Sequence, residues 1–177
     1  MKLPLFLVLA TLVAAPVCAQ EVIPNRLIDY GKFRDIVVRS EDERESRRLT
    51  EAQFMAMMKE PGIVLLDARS ESRYALRRIK GAINLPFTEF TEQSLAAVIP
   101  HKNTKILIYC NNNFAGSPTA FASKAPAASL NLSTYMSLKA YGYNNVFEVG
   151  PLLDVSTTQI PFEGREVSHH PAPVSGG

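Results

Sequence analysis

The chain holds two cysteines, Cys18 and Cys110, and a thiolate is the strongest nucleophile among protein side chains at neutral pH. Cys110 follows the apolar run Ile106-Leu107-Ile108-Tyr109 and precedes Asn111-Asn112-Asn113. A thiol just past a strand end, followed by a turn-rich segment, can be ringed by backbone N–H groups. Such a ring stabilises a thiolate or a bound anion without any charged side chain. Asn tolerates the left-handed conformation that points successive amides inward, so residues 111–113 suit such a loop, although the same run also reads as a plain polar turn. A lone cysteine is more commonly a small buried hydrophobe, so its position has to decide its role. Asp67 ends a second apolar run, Ile63-Val64-Leu65-Leu66. In an open α/β sheet the ligand site lies at the carboxyl ends of the strands, which brings Asp67 and Cys110 to one edge.

The elements that position these residues come from a chain of 177 residues, 46% hydrophobic and 20% charged, enough for one core of ordinary size and one domain. A formal net charge of +2 without any block of Lys or Arg leaves nothing to hold a phosphate backbone, so no nucleic acid is expected as partner. At the N-terminus Lys2 precedes an apolar stretch over residues 3–13, followed by small residues up to Ala19. The stretch is shorter than the roughly 20 residues a membrane span needs, and residues 1–19 read as an export signal cut after Ala19. Val17 argues against lipid attachment at Cys18. The mature protein is then expected in the periplasm or secreted, with no membrane contact once the signal is removed and Cys110 as its one thiol. One thiol cannot form an internal disulfide, and an unpaired thiol in an oxidising compartment is a liability unless it is used.

Residues 20–48 read as a helical extension, with Leu27, Tyr30, Phe33 and Val37 spaced as one helix face packed on the domain. Residues 41–48 are charged at every position but Ser46, with mixed signs, and read as a solvated surface without function. Thr50 and Gln53 form a capping box, and Phe54, Met57 and Met58 make an apolar stripe that stops at Pro61-Gly62. Helices are expected over residues 70–77, 95–99 and 133–140. Strands are expected over 63–66, 82–85, 106–109 and 146–149. Short apolar runs alternating with helices make an α/β fold, a parallel β-sheet flanked by helices. Residues 163–177, with Pro171, Pro173 and Gly176-Gly177, read as a disordered tail. His169-His170 has no further ligands at useful spacing, so no metal and no cofactor are expected.

Between about Thr50 and Pro161 the sequence resembles the rhodanese-like domains. Leu65-Leu66-Asp67-Ala68-Arg69 looks like the family's first signature, a strand ending in Asp-x-Arg. Tyr74 and the segment from Arg78 through Gly81, Asn84 and Pro86 resemble its second. Residues 106–110 resemble the strand leading into the catalytic cysteine, and residues 138–146 its helix, Gly-Tyr turn and last strand. The resemblance implies a rhodanese-like domain over residues 49–162 and a sulfurtransferase. Cys110 would take sulfane sulfur from a small-molecule donor, hold it as a persulfide and pass it to a thiol or cyanide. Asp67 and Arg69 would brace the base of the loop.

The departures from the family pattern bear on the site. Its loop commonly ends in an arginine five residues after the cysteine, where this chain has Ala115, and Lys124 is the next basic residue. The segment between Cys110 and Gly142 is longer than the family's and carries Phe114, Pro118, Phe121 and Pro126. Ser129 and Asn131 fall where the loop rejoins the helix, so hydroxyl and amide groups stand in for a guanidinium. Arg78 occupies the position of the family histidine. The expected anion-binding loop is thus Asn111, Asn112, Asn113, Phe114, Ala115, Ser129 and Asn131, supported by Asp67, Arg69 and Arg78, with Phe114 and Phe121 covering the donor. Phosphatase action is disfavoured, since a doubly charged oxyanion at such a loop needs the bidentate arginine. The alternative is a non-catalytic binding module that recognises a peptide or small anion through its enlarged loop. Oligomeric state is not legible.

Overall fold

Runs of apolar residues without alternation suit strands covered on both faces, and those runs lie at the centre of the sheet. The computed structural model describes residues 23–167. Its helices are α1 (Tyr30–Ser46), α2 (Glu51–Met57), α3 (Glu71–Leu76), α4 (Glu92–Val98) and α5 (Leu130–Ala140). Its strands are β1 (Arg48–Leu49), β2 (Val64–Asp67), β3 (Arg78–Ile79), β4 (Ile83–Asn84), β5 (Ile106–Tyr109), β6 (Phe114–Ala115), β7 (Val146–Val149), β8 (Leu153–Asp154) and β9 (Phe162–Glu163). Five of these form a parallel sheet in the order β1-β7-β5-β2-β4, so β5 is central and Cys110 leaves the sheet at its middle.

Every residue of β2 and β5 is buried. Leu65, Leu107, Tyr109 and Val149 face α2 and the segment after Cys110, in a core with Phe54, Phe114 and Phe121. Val64, Leu66, Ile106, Ile108 and Val146 face the other layer, with Leu95, Tyr135, Met136 and Leu138. The capping boxes at Thr50 with Gln53 and at Thr91 with Ser94 fix the starts of α2 and α4, satisfying amide donors that a first turn leaves open.

Two expectations change. The helical extension forms, yet the face drawn from Leu27, Tyr30, Phe33 and Val37 is exposed. Ile36 and Ser40 turn inward instead, and Lys139 of α5 pairs with Glu43 at 2.7 Å. Polar contacts near its end, more than an apolar stripe, hold α1 on the domain. The tail expected to be disordered from residue 163 is ordered through Val167. β9 pairs antiparallel with β3, and the N–H groups of Arg165 and Glu166 donate to the carbonyls of Ala75 and Leu76. Gly164 permits this approach: its φ is +127°, and a Cβ there would lie 2.5 Å from the Leu76 carbonyl oxygen. Residues 168–177, with His169-His170, and residues 1–19, expected to be an export signal, lie outside the described residues.

Candidate active site

Cys110 has extended backbone and caps a 3₁₀ turn formed by Asn111–Asn113. Its Sγ accepts from the Asn112 N–H at 3.4 Å and lies 3.4 Å from Ser129 Oγ, the residue that precedes α5. The turn is locked from below by Asn113. Asn113 Oδ1 accepts from the Cys110 N–H at 2.8 Å and from Asn131 Nδ2 at 3.1 Å, while its own Nδ2 donates to the Val149 carbonyl at 2.8 Å. One amide side chain thereby joins the thiol's backbone to α5 and to β7. Asn112 reaches the other way: its Nδ2 donates to the Lys124 carbonyl at 2.8 Å, and its Oδ1 accepts from the Lys124 N–H at 3.0 Å. Cys110 itself is only 1% exposed.

Clefts open on both sides of the turn. One, of about 330 Å³, is lined by Asn112, Asn113, Ser129 and Asn131 together with Arg44, Arg48 and Glu148. The other, of about 430 Å³, is lined by Asn111, Arg69, Arg73, Phe87 and Lys124. The first is lined by both residues that touch the sulfur, Asn112 and Ser129.

Beneath the turn lies a buried ion pair. The Arg69 guanidinium donates to both Asp67 oxygens, from Nε at 2.9 and 3.2 Å and from Nη2 at 2.5 Å, and Tyr109 Oη donates to Asp67 Oδ2 at 2.5 Å. Arg69 also donates to the carbonyls of Ala120 and Arg77, at 2.9 and 2.8 Å, and stacks against the Phe121 ring at 4.4 Å. Burial alone draws the Arg69 pKa down, but the hydrogen bond and charge of Asp67 outweigh it and the net shift is upward. Burial, with the Asp67 charge behind it, pushes the Tyr109 phenol well above its usual value, so it stays a donor. The cluster ties β2, β5 and the segment after Cys110 together, and none of its hydrogen bonds reaches the thiol.

The structure brings Cys110, Asn112, Asn113, Ser129 and Asn131 into one site, with Asn111 buried in the turn, and parts the other candidates from it. No residue other than glycine has a positive φ among the described residues, so the Asn run makes a 3₁₀ turn and not a left-handed loop. Phe114 and Phe121 are core residues, 1% and 2% exposed, stacked on each other at 4.8 Å, and do not cover the thiol. Ala115 is exposed on β6, paired with Asp154 of β8, because the chain leaves the loop after Asn113. Arg78 pairs with Glu163 at 3.0 Å across β3 and β9. Sequence reasoning missed Arg44, Arg48 and Glu148. The available signal was Glu148 itself, an acid within the apolar strand Val146-Phe147-Glu148-Val149: a charge in a buried strand calls for a counter-charge. Among the described residues no cluster of three His, Cys, Asp or Glu is placed to hold a metal ion.

Comparison with known proteins gives the family. Residues 50–149 match the family model described as "Rhodanese-like domain". The thiosulfate sulfurtransferase PspE of Escherichia coli (strain K12) is 28% identical over 95 residues, spanning 54% of this chain and 76% of that protein. Among solved structures, a rhodanese with anions from E. coli is 25% identical, with a TM-score of 0.37 over 58% of this chain and 98% of that one. The Alr3790 protein from Anabaena sp. is 18% identical, with a TM-score of 0.47 over 68% of this chain and 84% of that one. With the family model covering more than half of its length around Cys110, the chain belongs to the rhodanese-like domain family.

Proposed function

We propose that the protein is a sulfurtransferase that carries sulfane sulfur on Cys110. The Cys110 thiolate attacks the sulfane sulfur of a donor such as thiosulfate. A new S–S bond forms as the donor's S–S bond breaks, and sulfite leaves with the electron pair. The terminal sulfur then passes to cyanide, giving thiocyanate, or to an acceptor thiolate, giving its persulfide, and Cys110 departs as thiolate. The observation that carries this reading is the placement of Cys110 Sγ within 3.4 Å of both the Asn112 N–H and the Ser129 hydroxyl, donors suited to a sulfur anion at the end of the central strand. The likeness to PspE, named a thiosulfate sulfurtransferase, supports the donor class. Export belongs to the same reading and rests on the apolar stretch and small residues at the N-terminus.

The burial of Cys110 favours a second reading, in which the thiol is structural and the clefts bind a peptide or small anion without chemistry. Steady-state thiocyanate production from thiosulfate and cyanide separates the two. Turnover that disappears in Cys110→Ser supports transfer. Absence of turnover with thiosulfate, and with thiosulfonate and persulfide donors, leaves the binding module.

A further inference from the structure

The turn around Cys110 contains no charged side chain, and the carboxylate beneath it is neutralised by Arg69. Two positive charges nevertheless border the cleft that holds the sulfur's contacts, and both lie upstream of residues 50–149, the span of the family match. We propose that Arg44 and Arg48 form the anion-binding wall of this cleft and select small, doubly charged sulfur donors, with Glu148 limiting their strength. This rests on the sulfurtransferase reading above and names the donor class for that same site.

The placement follows from the fold. β1 pairs in parallel with β7 so that Arg48 stands in register with Glu148, and α1 ends just before it, bringing Arg44 to the same carboxylate. Arg44 Nη2 lies 2.5 Å and Arg48 Nε 3.7 Å from Glu148 Oε1. The two arginines differ in what they have left to give. Arg48 already donates to Glu45 at 3.0 Å and to the Gly150 carbonyl at 3.1 Å, so it adds positive charge to the wall more than free donors. Arg44 makes one ion pair among the described residues, and its Nε is buried without a hydrogen-bond acceptor. Its side chain is 22% exposed and borders the cleft, so it is the arginine less committed to neighbours and freer to meet an oxyanion. Two guanidinium groups and one carboxylate line the cleft beside Ser129 and Asn112, and because Glu45 outside the lining pairs with Arg48, Arg44 and Glu148 set the charge that an anion meets there. Glu148 is 1% exposed, and its attraction to Arg44 and Arg48 is little screened by solvent at that depth. A guanidinium spent on Glu148 is withheld from a ligand, so the acid sets how much of the wall's charge an incoming anion meets.

The test uses the mature full chain and two donors that differ in charge but share one chemistry. Thiosulfate is divalent and releases sulfite, whereas methanethiosulfonate is monovalent and releases methanesulfinate. Arg44→Gln is expected to lower kcat/KM for thiosulfate by about tenfold or more, the worth of one charge-assisted hydrogen bond, and to lower that for methanethiosulfonate by clearly less. Arg44→Lys should recover part of the thiosulfate efficiency. Glu148→Gln provides the decisive sign, because damage to folding does not tighten binding: KM for thiosulfate should fall severalfold. Equal losses with both donors in Arg44→Gln, or a raised KM in Glu148→Gln, would overturn the proposal while leaving sulfur transfer intact. Should the wild type take sulfur from neither donor, the sulfurtransferase reading fails. Sulfate binding by titration calorimetry then judges the wall alone, with the expected order of affinity Glu148→Gln, wild type, Arg44→Gln. Any other order refutes it.

Discussion

Replacing Asp67 with Ala removes the carboxylate that Arg69 contacts through Nε, Nη2 and its backbone N–H, and that Tyr109 Oη donates to. What is left is a guanidinium 1% exposed, whose remaining hydrogen bonds go to the carbonyls of Ala120 and Arg77, and a buried phenol without its acceptor. Removing one partner of a buried ion pair costs about 3–5 kcal/mol, because the other charge stays out of water uncompensated. Domains of this size are stable by about 5–15 kcal/mol, so Asp67→Ala should sit near the threshold of folding, with Tm lowered on the order of 10 °C or more. Urea unfolding followed by circular dichroism measures the loss. Asp67→Ala combined with Arg69→Met removes both charges and should regain part of it, since two apolar side chains leave no uncompensated ion. Because no hydrogen bond of the cluster reaches the thiol, the folded fraction of Asp67→Ala should still take sulfur onto Cys110. A loss below about 1 kcal/mol would show that the pair does not brace the base of the site. Full stability with sulfur uptake abolished would instead make Asp67 part of the chemistry.

Cys110→Ser should abolish sulfur uptake and change stability by no more than about 1 kcal/mol in denaturant melts, since a hydroxyl keeps the Ser129 and Asn112 partners of the sulfur. Ser129→Ala removes one of two donors to the sulfur anion and should slow persulfide formation by about tenfold or more, read by stopped-flow with a single turnover of donor. Ala115→Arg should leave KM for thiosulfate within about twofold, well short of the tenfold that one 1.4 kcal/mol contact would give, because that side chain would emerge on β6 beside Asp154 and not in the turn. Burial holds the Glu148 carboxyl above its usual range, against the pull of Arg44. A raised folded pKa gives stability that is present below the unfolded value and lost as pH rises through the folded one. The stability of the wild type relative to Glu148→Gln should therefore decline as pH rises from about 4.5, and a difference that grows with pH would contradict the assignment.

What was legible in the sequence was whatever local pattern decides. The runs at 63–66, 106–109 and 146–149 read as covered strands, and the capping residues marked the starts of helices. Asp67 and Cys110 then follow from where strands end, and Arg69 from the resemblance to the rhodanese-like signature. Ser129 was found by counting back from Gly142, and the structure sets it 3.4 Å from the sulfur. The misplacements share one physical origin, which is pairing between segments far apart in the chain. Ala115 and Phe114 leave the loop because β6 has β8 to pair with, and Arg78 turns away because β9 brings Glu163 to it. The charged stretch at 41–48 read as solvated surface, since nothing in its own composition reveals that β1 in register with β7 sets it over a buried acid. The helix of the extension was found while its inward face was not, because the ion pairs of Glu43, Arg44 and Glu45 near one end outweigh a loose apolar spacing.

The most direct test of the account is the intact mass of the mature protein after incubation with thiosulfate, followed by peptide mapping. Sulfur transfer through Cys110 predicts the gain of one sulfur atom, confined to the peptide containing Cys110, removed by cyanide with release of thiocyanate, and absent in Cys110→Ser. A mass unchanged by thiosulfate and by thiosulfonate or persulfide donors, in a protein shown to be folded, would contradict it.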